Sequence, residues 1–209
     1  MKRKNVIIKD KKSVFIDRQV KIGSGVTIYE NNRIEGNTVI GDNVTIMPNC
    51  YISNCIIGDN TTVFASVLES SVIENDCSLG PYTHLRPNSI IKAKAKLGNF
   101  VEIKNATIGE GSKVNHLAYV GDAEIGKDCN IGCGAIFVNY NGKIKQKTIV
   151  GDNCFIGSNC NIIAPVVIEN KSYICAGTTV TNKVEEGDFV IGRVRQEVKK
   201  NLAKKYLKD

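Results

Sequence analysis

The chain has 209 residues, a net charge of +7 and no Trp, with 19 Gly against 4 Pro. That length allows one or two domains, and a hydrophobic content of 42% excludes a disordered or collagen-like chain. A core without large aromatics must be filled by small branched side chains, which suits a narrow, regular interior.

Residues 1–15 are a basic segment that opens Met1-Lys-Arg-Lys. Only Val6, Ile7 and Ile8 follow before charge returns, too short a run for a signal-peptide core. No stretch is long and apolar enough to span a bilayer, so no membrane partner and a cytoplasmic location are expected. From Ile16 an aliphatic residue recurs every six positions, at Ile22, Ile28, Ile34, Ile40, Ile46 and Ile52. A one-residue slip leads to Ile57 and Val63, and the run resumes from Ile73 through Leu79, Leu85, Ile91 and Leu97 to Ile103. A second slip leads to Ile108 and Val114, then Ile125, Ile131 and Phe137, with a last run from Val150 to Val180.

A period of six is not a helical period, and Gly-Asp or Gly-Ser breaks any long alternating strand. The pattern predicts short strands joined by tight turns, three hexapeptides to a triangular coil, with coils stacked as parallel strands. The fold class is therefore all-β, a parallel β-helix over residues 16–190. Its repeats over 16–185 make roughly nine coils, ~43 Å at ~4.8 Å per coil. Four residues after a marked aliphatic lies a slot for a small inward side chain. It holds Val26, Thr38 and Val44, and also Cys50, Cys77, Cys129, Cys154 and Cys160. These read as structural free thiols, and no C-x-x-C spacing supports zinc or redox chemistry. Residues 139–148 carry no Gly-Asp turn and should leave the coil as a loop. In the tail, 191–209, Val194, Val198, Leu202 and Tyr206 recur every four residues, predicting a short amphipathic helix that caps the open end.

The positive charge concentrates in Lys2–Lys12, Lys92–Lys96, Lys143–Lys147 and Arg193–Lys208. Such clusters serve solubility or attract anions such as phosphates and CoA. Without interleaved aromatics or a known motif, no nucleic-acid partner is expected. The only histidines are His84 and His116. His116 lies two positions after Val114, on the wall of the helix rather than in its core. Two histidines cannot supply the three-histidine zinc site known for this fold class in γ-type carbonic anhydrases, so no metal is expected.

Several segments keep one order and spacing: Gly80-Pro-Tyr-Thr-His-Leu-Arg-Pro, Leu97-Gly-Asn-Phe-Val-Glu-Ile-Lys, His116-Leu-Ala-Tyr-Val-Gly-Asp, Asn130-Ile-Gly-Cys-Gly, Asn139-Tyr-Asn-Gly, Lys147-Thr-Ile-Val-Gly-Asp, and Ala176-Gly-Thr-Thr-Val-Thr before Arg193. With them the chain from about Ile16 onward resembles the C-terminal acetyltransferase domain of bifunctional bacterial N-acetylglucosamine-1-phosphate uridyltransferase / glucosamine-1-phosphate acetyltransferases. The resemblance implies a left-handed β-helix, and acetyl transfer from acetyl-CoA to glucosamine 1-phosphate on the route to UDP-N-acetylglucosamine and cell-wall precursors. It implies that His116 is the general base, a role the chemistry requires because an ammonium cannot attack. Arg86, Lys104 and Lys145 correspond to cations around the sugar phosphate. Tyr119 and Asn130 correspond to residues that hold the sugar, with Glu102 in support. Asn139, Tyr140, Ser158, Ala176 and Arg193 correspond to the acetyl-CoA site, and Cys133 stands where the family usually has Ala beside the acetyl group. A homotrimer with shared sites is implied. Roughly four coils, ~19 Å, separate His116 from Arg193, so in that trimer the two are expected from different chains. No uridyl transfer is expected from these residues, and a separate uridyltransferase would take the product. The alternatives are an acyltransferase acting on a different amino sugar and a non-catalytic structural β-helix.

Overall fold

The structure, a computed structural model, describes residues 5–207. The first four residues of the basic segment and the last two of the tail lie outside the described residues. The chain winds into a left-handed parallel β-helix of triangular cross-section. Its strands are mostly two or three residues long. Among the described residues they form a nineteen-stranded and a nine-stranded sheet. The larger sheet holds two faces of the prism, fused where Lys96–Lys104 and Lys113–Gly121 run on across a corner. The smaller sheet is the third face.

Register follows the hexapeptides. Ile28 pairs with Ile46 on the first face, Ile16 with Ile34 and Ile34 with Ile52 on the second, and Ile22 with Ile40 on the third. Each aliphatic residue thus stacks on its equivalent, and the column from Ile28 through Ile46 and Val63 is fully buried. The glycine after the aliphatic is a steric requirement. A Cβ on Gly157 would fall 2.4 Å from the Ala176 amide nitrogen of the next coil. The acidic or amide residue that follows satisfies a neighbouring turn: Asp42 N–H donates to Asp59 Oδ1 at 2.7 Å, and Asp59 N–H to Asn75 Oδ1 at 2.9 Å. Asn43 and Asn60 then take φ of 57° and 58°, a left-handed conformation that asparagine tolerates better than most residues.

The small inward slot is a hydrogen-bonding column as well as a packing one. Thr61 Oγ1 accepts from Cys77 N–H at 3.1 Å, and Ser112 Oγ from Cys129 N–H at 2.9 Å. Among the described residues no buried side-chain nitrogen or oxygen lacks a partner.

Three features depart from the six-residue count. Leu68 and Val120 belong to the core, both at 0% exposure, although the period passes over them. They follow and precede five-residue corners, so that Ile57 pairs with Ile73, sixteen positions on, and Ile108 with Ile125. Dropping a residue at the turn leaves the inward phase intact, because the corner absorbs the change. At the N-terminal end, Ile7–Ile8 already pairs with Thr27–Ile28, so the stack starts before Ile16. At the other end, the tail makes one 3₁₀ turn at Leu202–Lys205 with no buried residue, in place of a capping amphipathic helix. Val194 is 94% exposed and Tyr206 74%. An isolated short helix with no surface to bury its apolar stripe is marginal in water.

The predicted loop does leave the coil. It exits after Ile136–Val138 and re-enters at Thr148–Val150. Tyr140 and Lys145 form an antiparallel bridge within it, and Gln146 N–H donates to the Asn139 carbonyl at 2.8 Å.

Candidate functional site

On the second face, His84, Glu102 and Tyr119 stack in register on three successive coils. Two residues further along the first two strands, Arg86 and Lys104 fall on the same side, as strand alternation requires. At the equivalent place in the third coil stands Gly121, paired with Lys104. Its missing side chain seats Tyr119: a Cβ there would lie 2.4 Å from Tyr119 Oη.

Each cation meets a carboxylate one coil on. Arg86 Nη1 lies 3.1 Å from Glu102 Oε1 and Lys104 Nζ 3.9 Å from Asp122 Oδ2. Asp122 occupies the next corner with φ 47°. Its Oδ1 accepts from Asn105 Nδ2 at 2.6 Å and its Oδ2 from Asn139 Nδ2. The Asn139 amide also reaches Tyr119 Oη at 3.4 Å. Burial alone would raise the Asp122 carboxyl. The hydrogen bonds from Asn105 and Asn139, with the Lys104 and Lys145 charges, outweigh it and hold the group below the usual carboxylate range. Lys104 is pushed below its ordinary value, first by the Lys145 ammonium beside it and then by burial.

Arg86, Lys104 and Lys145 line an open cleft of about 400 Å³ together with Asn105 and Asp122. It adjoins a second cleft of about 570 Å³ on the third-face side, beneath Lys145 and Lys147. Three cations converging on one cleft can hold a compact dianion, and a guanidinium can grip two of its oxygens.

The other expected residues fall elsewhere. Constant register between Val114↔Ile131 and Tyr119↔Ile136, then Ile131↔Ile156 and Ile136↔Asn161, then Ile156↔Ile174 and Asn161↔Thr179, aligns His116, Cys133, Ser158 and Ala176 down one edge of the prism. All four are exposed. Arg193 joins the foot of this column, its Nη1 donating to the Ala176 carbonyl at 3.2 Å. His116 and Arg193 therefore lie on one edge of one chain, so a single chain can present both along one track, where the stack spacing alone suggests two chains. Asn130 stays on the first face, between Lys113 and Phe155. Tyr140 is exposed on the loop and donates to the Gly142 carbonyl at 2.6 Å.

The structure thus gathers Arg86, Glu102, Lys104, Tyr119, Asn139 and Lys145 in one group and lines up His116, Cys133, Ser158, Ala176 and Arg193 in another. The two groups flank the same face. From His116 to Gly121 the strand advances five residues, roughly 16 Å at ~3.3 Å each. Sequence reasoning passed over Asp122 and Asn105, because Gly121-Asp122 looks like any other turn of the repeat. Its one distinguishing signal is position, three residues after Tyr119.

Among the described residues there is no group of three or more His, Cys, Asp or Glu able to hold a metal ion. Nor is any helix long and apolar enough to cross a membrane.

Comparison with known proteins adds relatives. Residues 3–91 match the family described as the GMPPB C-terminal domain, and residues 147–182 the hexapeptide repeat of succinyl-transferase. The chain is 47% identical over 191 residues to the bifunctional protein GlmU of Clostridium beijerinckii, covering 91% of this chain and 42% of that one. It is 47% identical over 196 residues to the bifunctional protein GlmU of Geobacillus sp. (strain WCH70), covering 94% and 43% respectively. The chain therefore spans less than half the length of these relatives. A crystal structure of a UDP-N-acetylglucosamine acyltransferase superposes with a TM-score of 0.56 at 18% identity, over 76% of this chain and 68% of the other. That likeness is one of fold.

Proposed function

From its 47% identity to two GlmU proteins and its hexapeptide repeats, we propose that the chain is a hexapeptide-repeat acyltransferase that transfers the acetyl group of acetyl-CoA to the amino group of glucosamine 1-phosphate. The observation that carries this reading is the cleft of Arg86, Lys104 and Lys145, with Tyr119 beside it on a rigid face. A sugar phosphate seated there offers its dianion to the three cations, and Glu102 keeps the Arg86 fork aimed. Tyr119 holds the sugar ring, and Asn130, which lies on another face of its own chain, would reach the ring from a second copy. His116 takes a proton from the amine as nitrogen attacks the acetyl carbonyl carbon. Backbone N–H groups stabilise the tetrahedral oxyanion, the carbon–sulfur bond breaks, and CoA leaves as the thiol after taking up a proton.

The edge column is the track proposed for acetyl-CoA. Four stacked positions from His116 to Ala176 span about 14 Å at ~4.8 Å per coil. Cys133 adjoins the acetyl end and Arg193 stands at the far end, where a cation suits the cofactor's phosphates. Asn139 and Tyr140 approach from the loop. Because the edge column and the cleft flank one face at a distance, a second copy that brings its edge to this chain's cleft and loop would close the site. We therefore favour a cyclic homotrimer. In this reading the β-helix over 16–190 carries the chemistry, with 1–15 and 191–209 as flanks apart from Arg193. The substrates are water-soluble metabolites, in keeping with a cytoplasmic enzyme. The product is one that a uridyltransferase would consume.

The test is a steady-state assay of the purified chain with acetyl-CoA and either glucosamine 1-phosphate or unphosphorylated glucosamine. The phosphorylated sugar should be strongly preferred. Equal rates with both sugars would show that the cation cleft does not select the substrate.

A further inference from the structure

We infer that Asp122 is a positioning residue that ties the cation cleft to the 139–148 loop and so sets the two halves of the site in one geometry. As it concerns turnover, this rests on the function proposed above; as it concerns the loop, it stands alone.

A carboxylate beside a phosphate-binding cleft works against anion binding, so its place there needs another cause. Asp122 has a side chain only 12% exposed, and each of its oxygens has a partner. Oδ1 is held by Asn105 from the coil before. Oδ2 accepts from Asn139 and faces Lys104. Asn139 is itself buried, at 9% exposure, and its amide donors go to Asp122 Oδ2 and Tyr119 Oη. Without Asp122 that buried amide would be left short of an acceptor, which is destabilising. Lys104 and Lys145 would also lose the one carboxylate between them.

The backbone completes the anchor. Thr148 N–H donates to the Asp122 carbonyl at 3.2 Å, and Gln146 N–H to the Asn139 carbonyl at 2.8 Å. Asp122 therefore grips the outgoing end of the loop by its side chain and the returning end by its main chain. One residue in the corner fixes Tyr119, Asn139 and Lys104 together. The first and third are assigned above to the sugar phosphate, the second to acetyl-CoA.

The experiment uses Asp122→Asn in the full chain, with two readouts. Asparagine keeps the shape and the Asn105 bond but removes the charge and the acceptor for Asn139. Amide hydrogen exchange at Gln146 and Thr148, measured without substrates, should quicken by about tenfold or more, as loss of a charge-assisted bond implies. With acetyl-CoA and glucosamine 1-phosphate, the KM for both should rise by about tenfold, whereas a merely destabilised protein would lose active molecules and keep its KM. Asn139→Ala breaks the same link from the loop side and provides a second test should Asp122→Asn fold poorly. The double variant should exchange no faster than Asn139→Ala alone, since the Asp122–Asn139 bond cannot be lost twice. Unchanged loop exchange in both single variants, or additive effects in the double, overturns the inference. If the wild type fails to acetylate glucosamine 1-phosphate while loop exchange still quickens in the variants, the functional reading falls and the anchor stands.

Discussion

His116 stands exposed on an edge of the prism, while the other imidazole, His84, is engaged by Glu69 Oε2 at 3.0 Å. In the proposed reaction, His116 is the imidazole left free to meet an incoming amine. We expect His116→Ala to lower kcat by about 10²–10⁴, the range typical of a lost general base, and His84→Ala to leave most of the activity. Stopped assays on variants of confirmed fold check this. Turnover of His116→Ala near that of the wild type would remove the residue from the role. His116, Arg86, Lys104 and Tyr119 could be named from the sequence because they stand in segments that resemble a known family. Gly121 and Asp122 could not. One acts by having no side chain where Tyr119 lies, and the other by contacts to residues 17 positions away on either side, at Asn105 and Asn139.

The repeating element is the coil, and its small inward slot decides how the thiols behave. Seven of the eight cysteines are buried and all are free; Cys133 alone is exposed. Burial pushes the Cys50, Cys55 and Cys77 thiols up to about 11, so near neutral pH they are both shielded and protonated. A thiolate is the reactive form. Cys154 is the exception, pulled down to about 7 by the hydrogen bond with Cys129, but at 2% exposure it is shielded by burial alone. In native protein, a thiol reagent should label one cysteine quickly and the buried seven only on unfolding. Mapping the fast label to any residue but Cys133, or finding several fast thiols, would contradict this placement. Five of the buried cysteines are legible from the six-residue period. Cys55 follows a five-residue corner, and Cys175 sits directly after Ile174, where most coils place glycine, so the period alone misses both.

Across the whole molecule, one edge carries an apolar ridge. Tyr82, Phe100 and Leu117 occupy the same corner of successive coils at 60%, 60% and 59% exposure, with φ of 60°, 57° and 40°. The Tyr82 and Phe100 rings stack at 5.3 Å. A left-handed conformation costs such residues roughly 1–2 kcal/mol each, and exposure forfeits their burial, so a lone chain gains nothing from them. Leu117 adjoins His116, so a neighbouring copy covering this ridge would also approach the edge column, as the proposed trimer needs. Sedimentation of the wild type should give a trimer, and Leu117→Asp should shift it toward monomer with activity falling in parallel. A fully active monomer would sink the shared-site assembly.

The sequence by itself determined the coil. A buried aliphatic every six residues, a glycine where Cβ would strike the next coil, and asparagine where φ is positive are local demands, each met by the residue at that place. It also marked the 139–148 loop by the missing turn, and it marked the candidate site residues through the segments that resemble a known family. What only the tertiary structure decided is which of these meet. The period of six does not say how many residues each coil spends at its corners, and coils of sixteen, seventeen, eighteen and twenty-five residues set the columns. Those offsets bring Ser158 and Ala176 beneath His116 on one edge. They also place Arg86, Lys104 and Asp122 on successive coils at the opposite side of a shared face. Side-chain type is a property of the residue, but adjacency in a stacked helix depends on the summed length of every turn between, and that sum is fixed only when the whole stack closes on its core.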